Sequence, residues 1–319
     1  MWKFRPILKE TLWGGDKIAR LKGLPAAPLR LGESWELACM PDSVSVVAAG
    51  PDAGMSLLEL IDREGSDLLG ERNETRFGPV FPLLIKFIEA CSDLSIQVHP
   101  DDATALRHGL PNGKAEMWYV LEADPGARIA NGFSRTIDET ELHDLVKTGK
   151  IEDSLNYLDV KPGEVFFIPP GRVHAIGRGT MVVEIQQSSD ATYRIYDYGR
   201  RDPKGQLREL HTDKACEALD FRGVEVAPSP YISRPDIPVN LVRNNFFTAN
   251  LLRLSDQLMR DYSELDSFVA VVATEGEATL RTRASEMNIR RGETVLVPAA
   301  ANGLEITPVR EFSAIEVYI

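Results

Sequence analysis

No apolar run in the sequence is long enough to cross a bilayer. The longest, residues 81–96, is broken by Lys86, Glu89 and Asp93, whereas a membrane helix needs roughly 18 uninterrupted apolar residues. Basic runs are missing too. Thirty-six Lys and Arg stand against 48 Asp and Glu, a formal charge of −12, and a phosphate surface repels such a chain, which excludes nucleic acid and anionic membrane as main partners. Cysteine is scarce: Cys39, Cys91 and Cys216 are widely spaced, odd in number and form no C-x-x-C pair. That argues against a disulfide framework and a Cys-pair zinc motif, leaving buried, inert thiols as the expectation. Residues 1–10 mix Lys3, Arg5, Lys9 and Glu10 with apolar residues and have no cleavage-site pattern, so no secretion signal is read there and a cytoplasmic location is expected.

What is present is an ordinary folding composition. With 319 residues, 43% of them apolar, the chain can build a sizeable core and, by length, about two domains. Turn signals recur about every ten residues. Between them lie short β-rich runs at 43–48, 83–89, 95–99, 116–121, 164–168 and 181–187, a rhythm expected of a sandwich or barrel. Helical periodicity is confined to 56–69, 102–108, 139–155 and 212–219. Four prolines within residues 227–238 resist helix and sheet alike and read as a linker. Beyond it, runs at 246–254, 267–274, 277–283, 294–298 and 313–318 predict a second all-β unit. Residues 160–176 and 289–306 both place Gly-Glu before a strand ending in proline, a weak internal repeat. Only the first copy carries a histidine.

Alternate residues of a strand share a face. In residues 94–99 that sets Ser95, Gln97 and His99 on one side, and later strands align Lys114, Glu116 and Trp118, then Glu184 and Gln186, then Thr192, Arg194 and Tyr196. A lumen lined with such groups is costly without partners; a metal ion and a charged ligand would supply them. Gln97, His99, Glu116 and His174 form an N/O donor set suited to zinc or another divalent first-row ion. His108, His143 and His211 are read as ordinary solvated or satisfied side chains.

Four blocks, LSIQVHPDD (94–102), GKAEMWYV (113–120), PPGRVHAIG (169–177) and YRIYDYGR (193–200), resemble class I mannose-6-phosphate isomerases, zinc enzymes of the cupin superfamily. LKETLWGGDKI (8–18) and LGESWELA (31–38) resemble the short bacterial members. The resemblance covers about the first 220 residues. It implies a mainly β chain of two cupin-like jelly-roll barrel units with a few added helices: a metal-binding catalytic domain over 1–226 and a degenerate C-terminal one over 239–319. It further implies one zinc ion per chain on Gln97, His99, Glu116 and His174, and interconversion of mannose 6-phosphate and fructose 6-phosphate through an enediolate. Arg194, Glu184 and Lys114 are the implied catalytic residues, with Glu184 the first candidate for the base. Ser95, Lys86 and Arg200 are the implied phosphate contacts, and Trp13 reads either as lining the pocket mouth or, the preferred reading, as a buried structural indole. Two departures stand out. Only one helical segment, 139–155, separates Glu116 from His174, and Arg200 stands where longer members carry lysine. The rival readings are a non-catalytic sugar-binding or regulatory cupin and a metal-dependent cupin oxygenase, because two His and a carboxylate also make an iron triad. The sequence leaves the oligomeric state open.

Overall fold

The computed structural model describes residues 1–25, 30–202 and 204–319. The chain is mainly β and divides into two compact units. One comprises Met1–Ile7, Trp35–Ile85 and Ser229–Ile319; the other comprises Leu8–Ser34 and Lys86–Pro228. The sequence reading assigned 1–226 to a single domain, whereas residues 1–7 and 35–85 group with the C-terminal strands. The passage at 228/229 falls inside the proline-rich stretch 227–238, whose residues adopt neither helix nor strand.

In the second unit two sheets pack face to face. A five-stranded sheet contains Ile96–Val98, Arg128–Phe133, Leu155–Asp159, His174–Ile176 and Tyr193–Tyr196; a six-stranded one contains Glu116–Ala123, Val165–Ile168 and Thr180–Gln187 among its strands. Leu94, Ile129 and Ile176 from the first side interleave with Trp118, Val120, Phe166 and Val182 from the other in one buried apolar cluster. Burying side chains of this size stabilises by about 1.5–3 kcal/mol each. Strand pairing does not join the two sheets into a closed ring among the described residues. None of the described helices is long and apolar enough to cross a membrane.

Helix boundaries follow from local chemistry. Asp101 caps Asp102–Arg107 by accepting from Thr104 N at 2.7 Å, which satisfies one of the orphan donors of the first turn. Asp138 caps Glu139–Thr148 in the same way through Glu141 N at 2.8 Å. That helix was expected to run to 155. It stops because Gly149 turns left-handed, at φ 67°, and the chain continues as a short 3₁₀ turn, Ile151–Ser154, and the strand Leu155–Asp159. The expected helix over 56–69 likewise divides at Gly65, φ 53°, into Leu57–Glu64 and Ser66–Leu69. Strands Trp2–Arg5, Ile7–Gly15 and Leu31–Leu37 were not anticipated.

The internal repeat is a structural one. Gly163 (φ 89°) and Gly292 (φ 83°) make equivalent turns, donating to Val120 O at 2.8 Å and Ala273 O at 2.9 Å. The strands that follow pair in equivalent register, Ile168 opposite Glu116 in one copy and Val297 opposite Val269 in the other. A valine therefore stands where the first copy holds its buried carboxylate. In the second copy Glu316, opposite Val271, is bound by Arg260, Tyr262 and Asn250.

Candidate active site

Sheet register sets the site. On the five-stranded sheet Gln97 lies opposite His174 on one neighbour and Arg194 on the other, so three polar side chains form a row across three strands, as directly paired residues do. His99 follows two residues after Gln97. On the six-stranded sheet Glu116 is paired with Ile168 and Gln186, and Trp118, on the same face, with Glu184. The polar row and the Glu116 face meet between the sheets.

His99 Nε2 lies 3.2 Å from one Glu116 oxygen and His174 Nε2 lies 3.4 Å from the other; the two rings are 4.7 Å apart. Each imidazole is oriented from behind. His99 Nδ1 contacts the Ala191 carbonyl at 2.7 Å and His174 Nδ1 the Arg172 carbonyl at 2.8 Å. A carbonyl only accepts, so both Nδ1 atoms carry the proton and both Nε2 lone pairs face the carboxylate. Burial, assisted by the Lys114 charge, lowers His99 to about 4, and burial lowers His174 as well. Burial alone would raise Glu116, but the Lys114 ammonium beside it outweighs burial and holds the carboxyl ionised. Two neutral imidazoles and a carboxylate are the protonation states that metal ligation requires.

The residues fit a divalent ion. Glu116 is fully buried, and neither carboxylate oxygen accepts a hydrogen bond of good geometry, although the Lys114 ammonium lies 2.6 Å from one of them and 3.0 Å from His99 Nε2. The donors already gather a positive charge. Gln97 turns its amide nitrogen to His174 Nε2 at 3.3 Å; ligation through Gln97 requires the flipped amide, an exchange that costs no change of shape.

Beside this donor set lies a cavity of about 300 Å³, at the lower end of the usual range for small-molecule sites. Four cations, Lys86, Lys114, Arg194 and Arg208, line it together with Glu33, Glu184 and Asp190. Burial opposes the Lys86 charge, but Glu184 at 3.0 Å and Glu33 at 3.4 Å prevail and keep it protonated. Glu184 is fixed in turn by Trp118 Nε1, which donates to it at 2.9 Å. Arg208 reaches both oxygens of Asp197, at 2.8 and 2.6 Å, and sits 5.2 Å from the Trp13 ring centre. Burial and the neighbouring Arg208 charge both depress Arg194. Two cavity-lining guanidiniums whose charges oppose one another favour an anion beside them.

Residues 1–130 match the model of the type I phosphomannose isomerase catalytic domain. The chain is 35% identical to the mannose-6-phosphate isomerase of Streptococcus mutans over 292 residues, covering 91% of this chain and 90% of that one. The chain belongs to the mannose-6-phosphate isomerase family. It is also 34% identical over 298 residues to mannose-6-phosphate isomerase ManA of Bacillus subtilis, covering 92% of each. Among solved structures, the mannose 6-phosphate isomerase from Bacillus subtilis superposes with a TM-score of 0.88 at 31% identity, over 100% of this chain and 99% of that one. A mannosephosphate isomerase described as putative, from Archaeoglobus fulgidus, shares the fold at TM-score 0.80 and 24% identity.

Within this isomerase-family fold, Lys86, Ser95, Gln97, Lys114, Glu184 and Arg194 line the cavity, as do His174 and Trp13, with His99 and Glu116 buried beside them. Arg200 is not among the lining residues. Its guanidinium is held by the Asp93 carbonyl at 2.5 Å and by Asp197. Arg208 and Glu33 were missed by sequence reasoning. Glu33 falls inside a recognised block, LGESWELA, but its approach to Lys86 is a tertiary contact. His108 bonds Tyr193 and Glu217, and His211 Nδ1 accepts from Arg194 N, both outside the cavity lining. The thiols expected to be buried are not: Cys91 is exposed, and Cys39 and Cys216 are half-buried.

Proposed function

We propose that the chain interconverts mannose 6-phosphate and fructose 6-phosphate, with one zinc ion per chain held by His99, Glu116, His174 and Gln97. The observation that carries this reading is the buried His99–Glu116–His174 donor set beside a cavity rich in cations. Bound zinc would supply Lewis-acid polarisation of the sugar oxygens. Arg208 would grip the phosphate, and binding energy gained there positions the distant reacting carbons. Lys86 and Ser95 would complete the polar lining. The reaction moves one proton between C1 and C2. Glu184, anchored by Trp118 and Lys86, is the proposed base. Arg194 and Lys114 would stabilise the enediolate oxygens, each such contact being worth about 2.7–4 kcal/mol in a transition state. The C-terminal unit, with Val269 in the place of Glu116, is proposed to be structural. Turnover of a sugar phosphate by so acidic a chain accords with a cytoplasmic location.

A coupled assay for fructose 6-phosphate formed from mannose 6-phosphate, run with and without chelator, tests the reading. Turnover that disappears with chelator and returns with zinc is expected. No product from the untreated protein would overturn the isomerase reading, and turnover indifferent to chelator would overturn the metal.

A further inference from the structure

A second set of metal donors lies away from the cavity. Glu139 and His143, four residues apart, share a face of helix Glu139–Thr148, and Asp213 and Cys216, three apart, share a face of helix Thr212–Ala218. These faces meet. His143 Nε2 is 3.7 Å from Cys216 Sγ, 3.9 Å from Glu139 and 3.8 Å from Asp213. Donor atoms of Glu139, His143 and Cys216 all lie within 4.8 Å of one another. Bonds of about 2.0–2.3 Å to one tetrahedral ion place its donors about 3.3–3.7 Å apart, so small side-chain rotations suffice to close the set. The backbone beneath is fixed: Asp138 and Gly149 bound the first helix, and Cys216 packs against the apolar cluster of its unit. The sequence offered no signal for this site, because the His143–Cys216 spacing matches no zinc motif.

We propose that His143, Cys216 and Glu139, with Asp213 at the rim, form a peripheral site for a thiophilic divalent ion such as zinc. One sulfur, one imidazole nitrogen and carboxylate oxygen suit zinc better than calcium or magnesium. On binding, the Cys216 S–H bond gives way to a sulfur–metal bond and the proton passes to water; no oxidant takes part. The site contains no residue of the isomerase cavity and stands apart from that reading.

Cobalt discriminates the two sites, because the His99–Glu116–His174 set has no thiolate. The protein, stripped with chelator and dialysed, is titrated with cobalt(II) chloride in a phosphine reductant, with near-ultraviolet absorption, bound cobalt and mannose 6-phosphate turnover recorded. The expected result is a thiolate-to-cobalt charge-transfer band and a second equivalent of cobalt. Both should vanish in Cys216→Ser and fall sharply in His143→Ala, with turnover unchanged in either variant. Absence of the band in the parent protein would overturn the proposal. So would a band that survives Cys216→Ser, which would then come from Cys39 or Cys91, or a band indifferent to His143→Ala.

Discussion

Replacing Lys86 with methionine removes a charge that pairs with the buried Glu184 and the half-buried Glu33. The side chain lies in a strand, Leu83–Glu89, whose seven residues are all buried. Its ammonium is 3.0 Å from Glu184 and 3.4 Å from Glu33. Methionine fills a similar volume, so the loss is electrostatic rather than a cavity. Removing one partner of a buried pair typically costs about 3–5 kcal/mol, because the remaining charge has no solvent to replace it. Here Trp118 Nε1 still donates to Glu184, and Lys114 lies 3.8 Å away, which places the cost near the lower bound, about 3 kcal/mol. With a urea slope of about 3 kcal/mol per molar, at the upper end for small proteins, the unfolding midpoint should fall by about 1 M. Tryptophan fluorescence in urea reads it. Lys86→Met combined with Glu184→Gln removes both charges, and the double variant should be less destabilised than the two single changes summed. A midpoint unmoved in Lys86→Met, or strict additivity in the double variant, would refute the coupling.

Two further predictions concern the anion grip and the transition state. Arg208 lines the cavity whereas Arg200 is held by Asp93 and Asp197, so Arg208→Gln should raise KM for mannose 6-phosphate by about tenfold, one guanidinium contact of roughly 1.4 kcal/mol, and Arg200→Gln should raise it less. Steady-state kinetics reporting the reverse order would sink the assignment. Arg194→Gln should lower kcat by about 10²–10³, the usual cost of losing one donor to a developing oxyanion; a change confined to KM would restrict Arg194 to binding.

Period-two alternation in residues 94–99 brought Ser95 and Gln97 to the cavity and His99 to the donor set, because a strand between a packed core and a polar lumen must separate the two kinds of side chain. The same logic placed Lys114, Glu116 and Trp118 on one face. Arg208 escaped because it lies in a segment without regular structure, where no periodicity reports direction. Strand Ile7–Gly15 escaped for a related reason. It ends the six-stranded sheet and is mostly half-buried, so its sequence need not alternate cleanly. The overrun of the 139–155 helix had a local sign in Gly149, whose freedom at positive φ makes it a helix stop. Arg200 matched its family block, but its guanidinium is also held by the Asp93 carbonyl, a tertiary contact that strand periodicity does not report.

The most direct measurement of the central claim is anomalous diffraction at the zinc edge from crystals of the zinc-loaded protein. The account predicts a peak at bonding distance, about 2.0–2.2 Å, from His99 Nε2, His174 Nε2 and a Glu116 oxygen. A zinc-loaded, catalytically active crystal with no peak among those three side chains would contradict it.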